Sequence, residues 1–290
     1  MTFLIAGDLM VDVLTFLQDD IRFGDDNRAT IEFAGGGVSA NVAAWMAVAG
    51  ERPVLHCAVG NDAMGHGLIR ELELQGVEVR AVHTDSPTGA VVALVHPNGE
   101  RTMFPSAGAN AQLPMDIIDL EVDAGDHVHV SGYFILREYS RPAALHYIAV
   151  AKDRGATVSL DPASARLIEV MGADEVMEAL AGVDLVICNE SESMALSGAT
   201  THEAAAEFLA RRFPTAIVKL GADGACCWTD GGLLTAPAIP SQVVSTVGAG
   251  DAFDAAAIVA WKRGLPMAQV LAAGNHNGHL VVQQRGARPA

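Results

Sequence analysis

Basic residues are scarce in this chain: 18 Lys and Arg stand against 35 Asp and Glu, for a net charge of −17. That balance argues against nucleic acid and anionic membrane surfaces, both of which call for basic patches, so neither is expected as a partner. Cysteine is also rare. Cys57, Cys188, Cys226 and Cys227 have no zinc or redox spacing, and the adjacent pair Cys226 and Cys227 lies in a run that alternates like a strand. Buried thiols in a reducing cytoplasm account for them. No apolar run approaches the roughly 20 residues of a membrane helix. Met1 to Met10 carries no basic leader and is interrupted by Asp8, so it is not read as a signal peptide. His127 and His129 alternate without a third metal ligand nearby, which favours core or edge histidines over a metal site.

Half of the 290 residues are hydrophobic, enough for a large core. Phe3 to Gly7 and Val54 to Val59 read as buried strands. From Arg141 onward helices and strands alternate: Arg141–Lys152, then Ala156–Leu160, Glu175–Leu180, Leu185–Cys188, His202–Phe213 and Ala216–Leu220. Such alternation implies a mainly parallel sheet flanked by helices, with ligands at the carboxyl ends of its strands. Asp12, Asp161, Asn189 and Gly221 are placed there by this reading. Two stretches break the rhythm. Residues 13–34 and 86–106 carry exposed-strand patterns, the second turning at Pro97-Asn98-Gly99, and are expected to form a small β-sheet lid within a single domain spanning 1–290.

Several short motifs carry chemistry. In Thr246-Val247-Gly248-Ala249-Gly250-Asp251, glycines run into an alanine-rich apolar stretch that reads as a buried helix, Ala252 to Trp261. The amides of Gly248, Ala249 and Gly250 would then lie at a helix N-terminus, a ready cradle for phosphate, with Asp251 beside it as a proton acceptor. A capped glycine turn explains the same string. Gly35-Gly36-Gly37 precedes a helix with Asn41 on its first turn, suited to a ligand hydroxyl or to capping. Asn189 and Glu192 sit three apart at a strand end, where a carboxylate and an amide suit water-bridged Mg²⁺, or simply an acidic helix start. Lys219-Leu220-Gly221-Ala222-Asp223-Gly224 gives a second glycine turn after a strand.

In this order, over residues 3 to 288, these segments resemble the ribokinase-like (PfkB) family of carbohydrate and nucleoside kinases. Gly36 to Asn41 is similar to the family's first motif, Thr246 to Phe253 to its G-A-G-D run, and Asn189 to Glu192 to its N-x-x-E motif. Gly99 to Thr102 and Gly108 to Asn110 match landmarks around the lid. The resemblance implies ATP-dependent phosphorylation of a primary alcohol with Mg²⁺. Asp251 would be the base, with Gly248, Ala249 and Gly250 as anion hole. Asp12, Gly36, Gly37 and Asn41 would hold the acceptor, with Arg101 reaching in from the lid. Lys219, Gly221, Gly224, Asn189 and Asn275 would line the nucleotide, with Asn189 and Glu192 serving Mg²⁺. The acceptor is expected to be an unphosphorylated sugar or sugar acid. A nucleoside of the adenosine or pseudouridine type is the alternative, then a non-catalytic sugar-binding protein. A homodimer through the lid is expected. Three positions depart from the family: Ser245 replaces an aspartate that helps to hold a monovalent cation, leaving K⁺ activation open. Val38 replaces a ribokinase lysine, and Lys219 stands where a small hydroxyl residue is common.

Overall fold

The computed structural model describes residues 1–97, 101–113 and 122–289. A nine-stranded sheet forms the centre, in the order β13-β12-β11-β10-β9-β8-β1-β4-β5. Its parallel part comprises β1 (Phe3–Ala6), β4 (Val54–Gly60), β5 (Glu78–Thr84), β8 (His127–Ser131), β9 (Thr157–Asp161), β10 (Leu185–Asn189) and β11 (Thr215–Lys219). The antiparallel strands β12 (Ala225–Thr229) and β13 (Gly232–Ala236) finish one edge.

Side chains alternate across the sheet, and so build two cores. Phe3 and Ile5 of β1 point to one face, against α1 (Val38–Val48), α2 (Ala63–Leu74), α9 (Ala249–Lys262) and α10 (Met267–Val281). Leu4 and Ala6 point to the other, against α3 (Gly132–Leu136), α4 (Arg141–Asp153), α5 (Ala165–Met171), α6 (Ala173–Ala179), α7 (Glu190–Ser197) and α8 (His202–Ala210). Both faces are covered, which explains why β1 and β4 read as continuous apolar runs. Each fully buried aliphatic side chain, such as Ile5, stabilises by about 1.5–3 kcal/mol. His127 and His129 are buried and bond to Thr157 and Ser159, as core histidines. All four cysteines are free and buried.

The lid is a four-stranded sheet, ordered β3-β2-β6-β7: β2 (Met10–Leu17), β3 (Ala29–Gly36), β6 (Gly89–Val95) and β7 (Arg101–Ser106). Two antiparallel pairs join through a parallel contact of β2 with β6. The lid therefore begins at Met10, earlier than expected, and Asp12 lies on a lid strand rather than in a loop after β1. Asn98 to Glu100, within the expected turn and lid landmark, fall outside the described residues, as does the side chain of Arg101. Where the chain leaves β1 for β2, Asn110 clamps the crossing point. Its amide accepts from Leu9 N and donates to Leu9 O, both at 3.2 Å. Among the described residues, no helix is long and apolar enough to cross a membrane.

Candidate active site

At the carboxyl edge of the parallel strands, α9 begins at Ala249 with Gly248 as its N-cap. Gly248 has φ 77°, a left-handed conformation that glycine adopts without strain. A Cβ there would come within 2.6 Å of Ala287 Cα. The first-turn amides of any helix lack intrahelical acceptors, and that of Ala249 turns back to Thr246 O at 3.3 Å. Asp251 stands in this first turn. Asn41 Nδ2, from α1, donates to its Oδ2 at 2.7 Å. Burial pushes the Asp251 carboxyl up to about 7, although the Asn41 hydrogen bond opposes the shift. Asp161 and Asp8 push the same way as burial, and Lys219 against it.

Beside it, toward the lid, lie Asp8 and the glycine run. Asp8 caps α1, accepting from Val38 N at 3.0 Å and Ser39 N at 3.3 Å. Asn41 is thereby free of capping duty and turns to Asp251. Gly37 has φ 97°, and its Cα lies so close to Asp8 that a Cβ would sit 2.5 Å from Asp8 O. At Gly36 a Cβ would meet Asp12 Oδ1 at 2.3 Å. These glycines therefore let the Asp12 carboxyl lie flat on the β3 backbone. Burial raises Asp12 to about 6 against the pull of Arg288.

Beneath the start of α9 lies a buried charge cluster. Lys219 Nζ pairs with Asp161 Oδ2 at 2.5 Å and Asp254 Oδ1 at 2.9 Å. A Cβ on Gly250 would lie 3.2 Å from the same Nζ. Lys219 thus closes the space under the glycine turn. Asn189 and Glu192 form a capping box: Asn189 Oδ1 accepts from Glu192 N at 2.9 Å, and Glu192 Oε2 accepts from Asn189 N at 2.8 Å. Such a cap stabilises by about 1 kcal/mol. Burial, reinforced by Asp161, raises Glu192 to about 7.

On the other flank, Gly224 and Asn275 converge on one stretch of backbone. A Cβ on Gly224 would come within 2.1 Å of Ala236 O. Asn275 Nδ2 donates to Ala236 O and Pro237 O at 2.9 and 3.0 Å. Gly221 is exposed at the mouth of the turn. Arg137 lies over the Tyr133 ring, 5.3 Å from its centroid, and donates to Tyr139.

The structure thus gathers Asp251, Gly248, Gly250, Asn41 and Lys219 at one helix start, with Asp12, Gly36 and Gly37 on the lid side of it. Sequence reasoning missed Asp8, Asp254 and Arg288. Asp8 had a signal, a lone carboxylate directly after the first buried strand. Asp254 had one too: it falls one helical turn after Asp251. Arg288 had none, because only the tertiary fold returns it to residues more than two hundred positions earlier.

Matched as a whole, residues 1–290 fit the pattern of the pfkB family carbohydrate kinase. An ATP-dependent ribose-1-phosphate kinase of Halopiger xanaduensis is 33% identical over 263 residues, covering 89% of this chain and 83% of that protein. A fructokinase of Vibrio alginolyticus is 26% identical over 305 residues, covering 99% and 94%. Among solved structures, adenosine kinase from Sinorhizobium meliloti superposes with a TM-score of 0.89 at 24% identity, covering 99% of this chain and 95% of that one. Ribokinase from Thermotoga maritima does so at 0.81 and 26%, covering 100% and 96%. The architecture is the ribokinase-like α/β fold with a small β-sheet lid. The chain belongs to the pfkB family of carbohydrate kinases, phosphotransferases that act on sugars.

Proposed function

We propose that this protein transfers the γ-phosphoryl group of ATP to a primary hydroxyl of a small unphosphorylated sugar or sugar acid. The observation that carries the proposal is the contact of Asn41 with Asp251 at the start of α9. It joins a proton acceptor, phosphate-seeking amides and the acceptor-side glycines in one place.

In this reading Asp12, Gly36, Gly37 and Asn41 orient the acceptor so that its hydroxyl meets Asp251. Asp251 takes the hydroxyl proton as the acceptor oxygen bonds to the γ-phosphorus. The bond from that phosphorus to the bridging oxygen breaks, and ADP leaves. The amides of Gly248 and Gly250, with Ala249 when it releases Thr246, stabilise charge on the transferring group. Lys219 supplies a fixed positive charge beneath them, and Gly221, Gly224 and Asn275 flank the nucleotide. Arg101 stands at the head of β7 on the lid.

Mg²⁺ suits this site in its usual mode, through waters, one or two carboxylates and the phosphates of a nucleotide. The described residues hold no cluster of three or more His, Cys, Asp or Glu for a caged metal, whereas Glu192 and Asn189 offer oxygens of the right kind at a strand end. When bound, the ion would neutralise phosphate charge. Ser245 supplies no carboxylate for a monovalent cation. The cytoplasm is the proposed compartment, supported by four unpaired, buried thiols.

A second reading is favoured by Arg288, a buried cation beside Asp12: a sugar phosphate as acceptor. Against it, Arg288 is already paired with Glu71, and Asp8 and Asp12 crowd the same wall with negative charge. ADP release measured across free sugars, sugar acids, nucleosides and sugar phosphates decides. The proposal expects a free sugar or sugar acid to give the highest kcat/KM, and a sugar phosphate far ahead of the others would overturn it. Asp251→Asn should lower kcat by ~10²–10⁴ with ATP binding little changed.

A further inference from the structure

After α10 the chain doubles back across the acceptor side. Three side chains hold its backbone there. Trp45 Nε1 donates to Ala287 O at 2.8 Å, Gln284 Nε2 to Arg288 O at 2.6 Å, and Gln75 Nε2 to Pro289 O at 3.4 Å. This anchorage delivers the Arg288 side chain, only 5% exposed, between the lid base, α2 and α1.

The guanidinium spends its fork on three elements. Nη1 donates to Glu71 Oε1 of α2 at 2.8 Å, Nη2 to Gly36 O of β3 at 2.8 Å, and Nε to Asn41 Oδ1 of α1 at 3.4 Å. A Cβ on Gly35 would lie 2.0 Å from Nη1, so the glycine pair Gly35-Gly36 is the bed on which Arg288 and Asp12 both rest. Burying an arginine is costly. Glu71, itself half-exposed, could pair with it at the surface, so pairing alone does not explain the placement.

The last contact does. Asn41 has one face toward Arg288 and the other toward Asp251, whose Oδ2 it reaches at 2.7 Å. A guanidinium only donates, so it accepts the amide in one orientation, oxygen inward. The amide nitrogen is then obliged to point at the carboxylate. Turned over, the amide would set N–H against N–H on one side and oxygen against oxygen on the other. We propose that Arg288 is a positioning residue for the reaction: it fixes the Asn41 amide, and Asn41 fixes the rotamer and proton affinity of Asp251. The inference rests on Asp251 being the base. Asp8, Asp161 and Lys219 are the other charged groups that act on Asp251, and the side chain of Arg288 bonds to Asn41, Glu71 and Gly36 instead.

The test compares Arg288→Ala, Asn41→Ala and the double variant by steady-state kinetics over pH, at saturating ATP and varied concentrations of the free sugar or sugar acid that gives the highest kcat/KM. Arg288→Ala should lower kcat about 10–100-fold, the scale on which small misplacements act. The acid limb of its kcat profile should move to higher pH, because Asp251 loses a fixed donor. The double variant should be no worse than Asn41→Ala, since residues in one relay are not additive. A rise in acceptor KM with kcat and the acid limb unmoved would make Arg288 an acceptor ligand and overturn the relay, as would full additivity. Should Arg288→Ala fail to fold, Arg288→Lys carries the test. It keeps the charge and the Glu71 pairing but not the three-way fork, and should show the same limb shift; a wild-type profile overturns the inference. An inactive Asp251→Asn beside a wild-type Arg288→Ala defeats the relay alone. Near-normal turnover in Asp251→Asn defeats the base reading and the relay together.

Discussion

Lys219 Nζ and Asp254 Oδ1 meet over 2.9 Å with side chains 11% and 0% exposed. Asp254 Oδ2 has no hydrogen-bond partner, and Asp161 competes for the same ammonium. Burial drives Asp254 well above the ordinary carboxylate range, with Lys219 opposing and Asp161 adding to the shift. One ammonium therefore serves two carboxyl groups directly beneath the glycine turn, and its loss cannot be compensated locally.

Lys219→Met is accordingly expected to be destabilising by about 3–5 kcal/mol, the range for breaking a buried pair from one side. Denaturant unfolding measures it as a lower midpoint at unchanged slope. Adding Asp161→Asn to Lys219→Met should recover part of the loss, because Asp161, which Lys219 holds below the ordinary carboxylate range against burial, is the carboxylate left unpaired. An unfolding free energy within about 0.5 kcal/mol of wild type would mean that the cluster contributes nothing to the fold.

Activity should depend on pH through Asp251. Burial holds its carboxyl up at about 7, and a general base works only when deprotonated. The sign follows directly: kcat/KM rises with pH up to about 7 and then levels. A limb near 4 would mean that the carboxyl is solvated in the working enzyme. Loss of the limb in Asp251→Asn, with residual activity flat over the same range, assigns it.

Asp12→Asn should separate stability from function. The Asp12 carboxyl is raised to about 6, so the folded state binds its proton more tightly than the unfolded chain. Its contribution to stability is therefore present at low pH and is lost as pH rises through about 6. A neutral amide escapes that cost. Asp12→Asn is expected to be more stable than wild type at pH 8 by about 1–3 kcal/mol, at 1.36 kcal/mol per pKa unit, and equal to it near pH 4. Acceptor KM should nevertheless rise, with ATP affinity unchanged. A KM rise without the pH-dependent gain would mean that Asp12 is solvated in solution.

Legibility in the sequence followed the range of the forces involved. The buried strands and the Ala249–Lys262 helix were readable because their apolar runs and glycine punctuation are local. So was the pairing of Asn189 with Glu192, which capping chemistry places three residues apart. The short helix Ala165–Met171 was not, since Ser164 caps it but seven residues leave little periodicity. Helix Met267–Val281 was hidden by Gly274, Asn275, His276 and Asn277, poor helix formers held there by packing on α9. The site divides in the same way. Asp251 and the glycines advertise themselves, but Lys219 takes its meaning from Asp161 and Asp254, and Arg288 from Asn41, partners that only the sheet order and the returning segment supply.

The outer face of the lid predicts association. Phe33, Val13, Val92 and Phe104 are register partners in a row across all four strands. Side chains alternate, so this row points away from the face that carries Asp12. Phe33 is 65% exposed, Phe104 55% and Ile31, two residues along β3, 57%. Val13 packs against the core at the base of this row, while Phe33, Ile31 and Phe104 leave apolar surface exposed, and such surface on a two-edged sheet is commonly covered. We propose that two copies pair lid to lid over it. Sedimentation at micromolar concentration should give a dimer, and Phe33→Asp with Phe104→Asp should give a folded monomer. Because β2 carries Asp12 on its opposite face, the monomer should also show a raised acceptor KM with ATP affinity intact. A wild-type chain that sediments as a monomer at that concentration would leave the apolar row without this role.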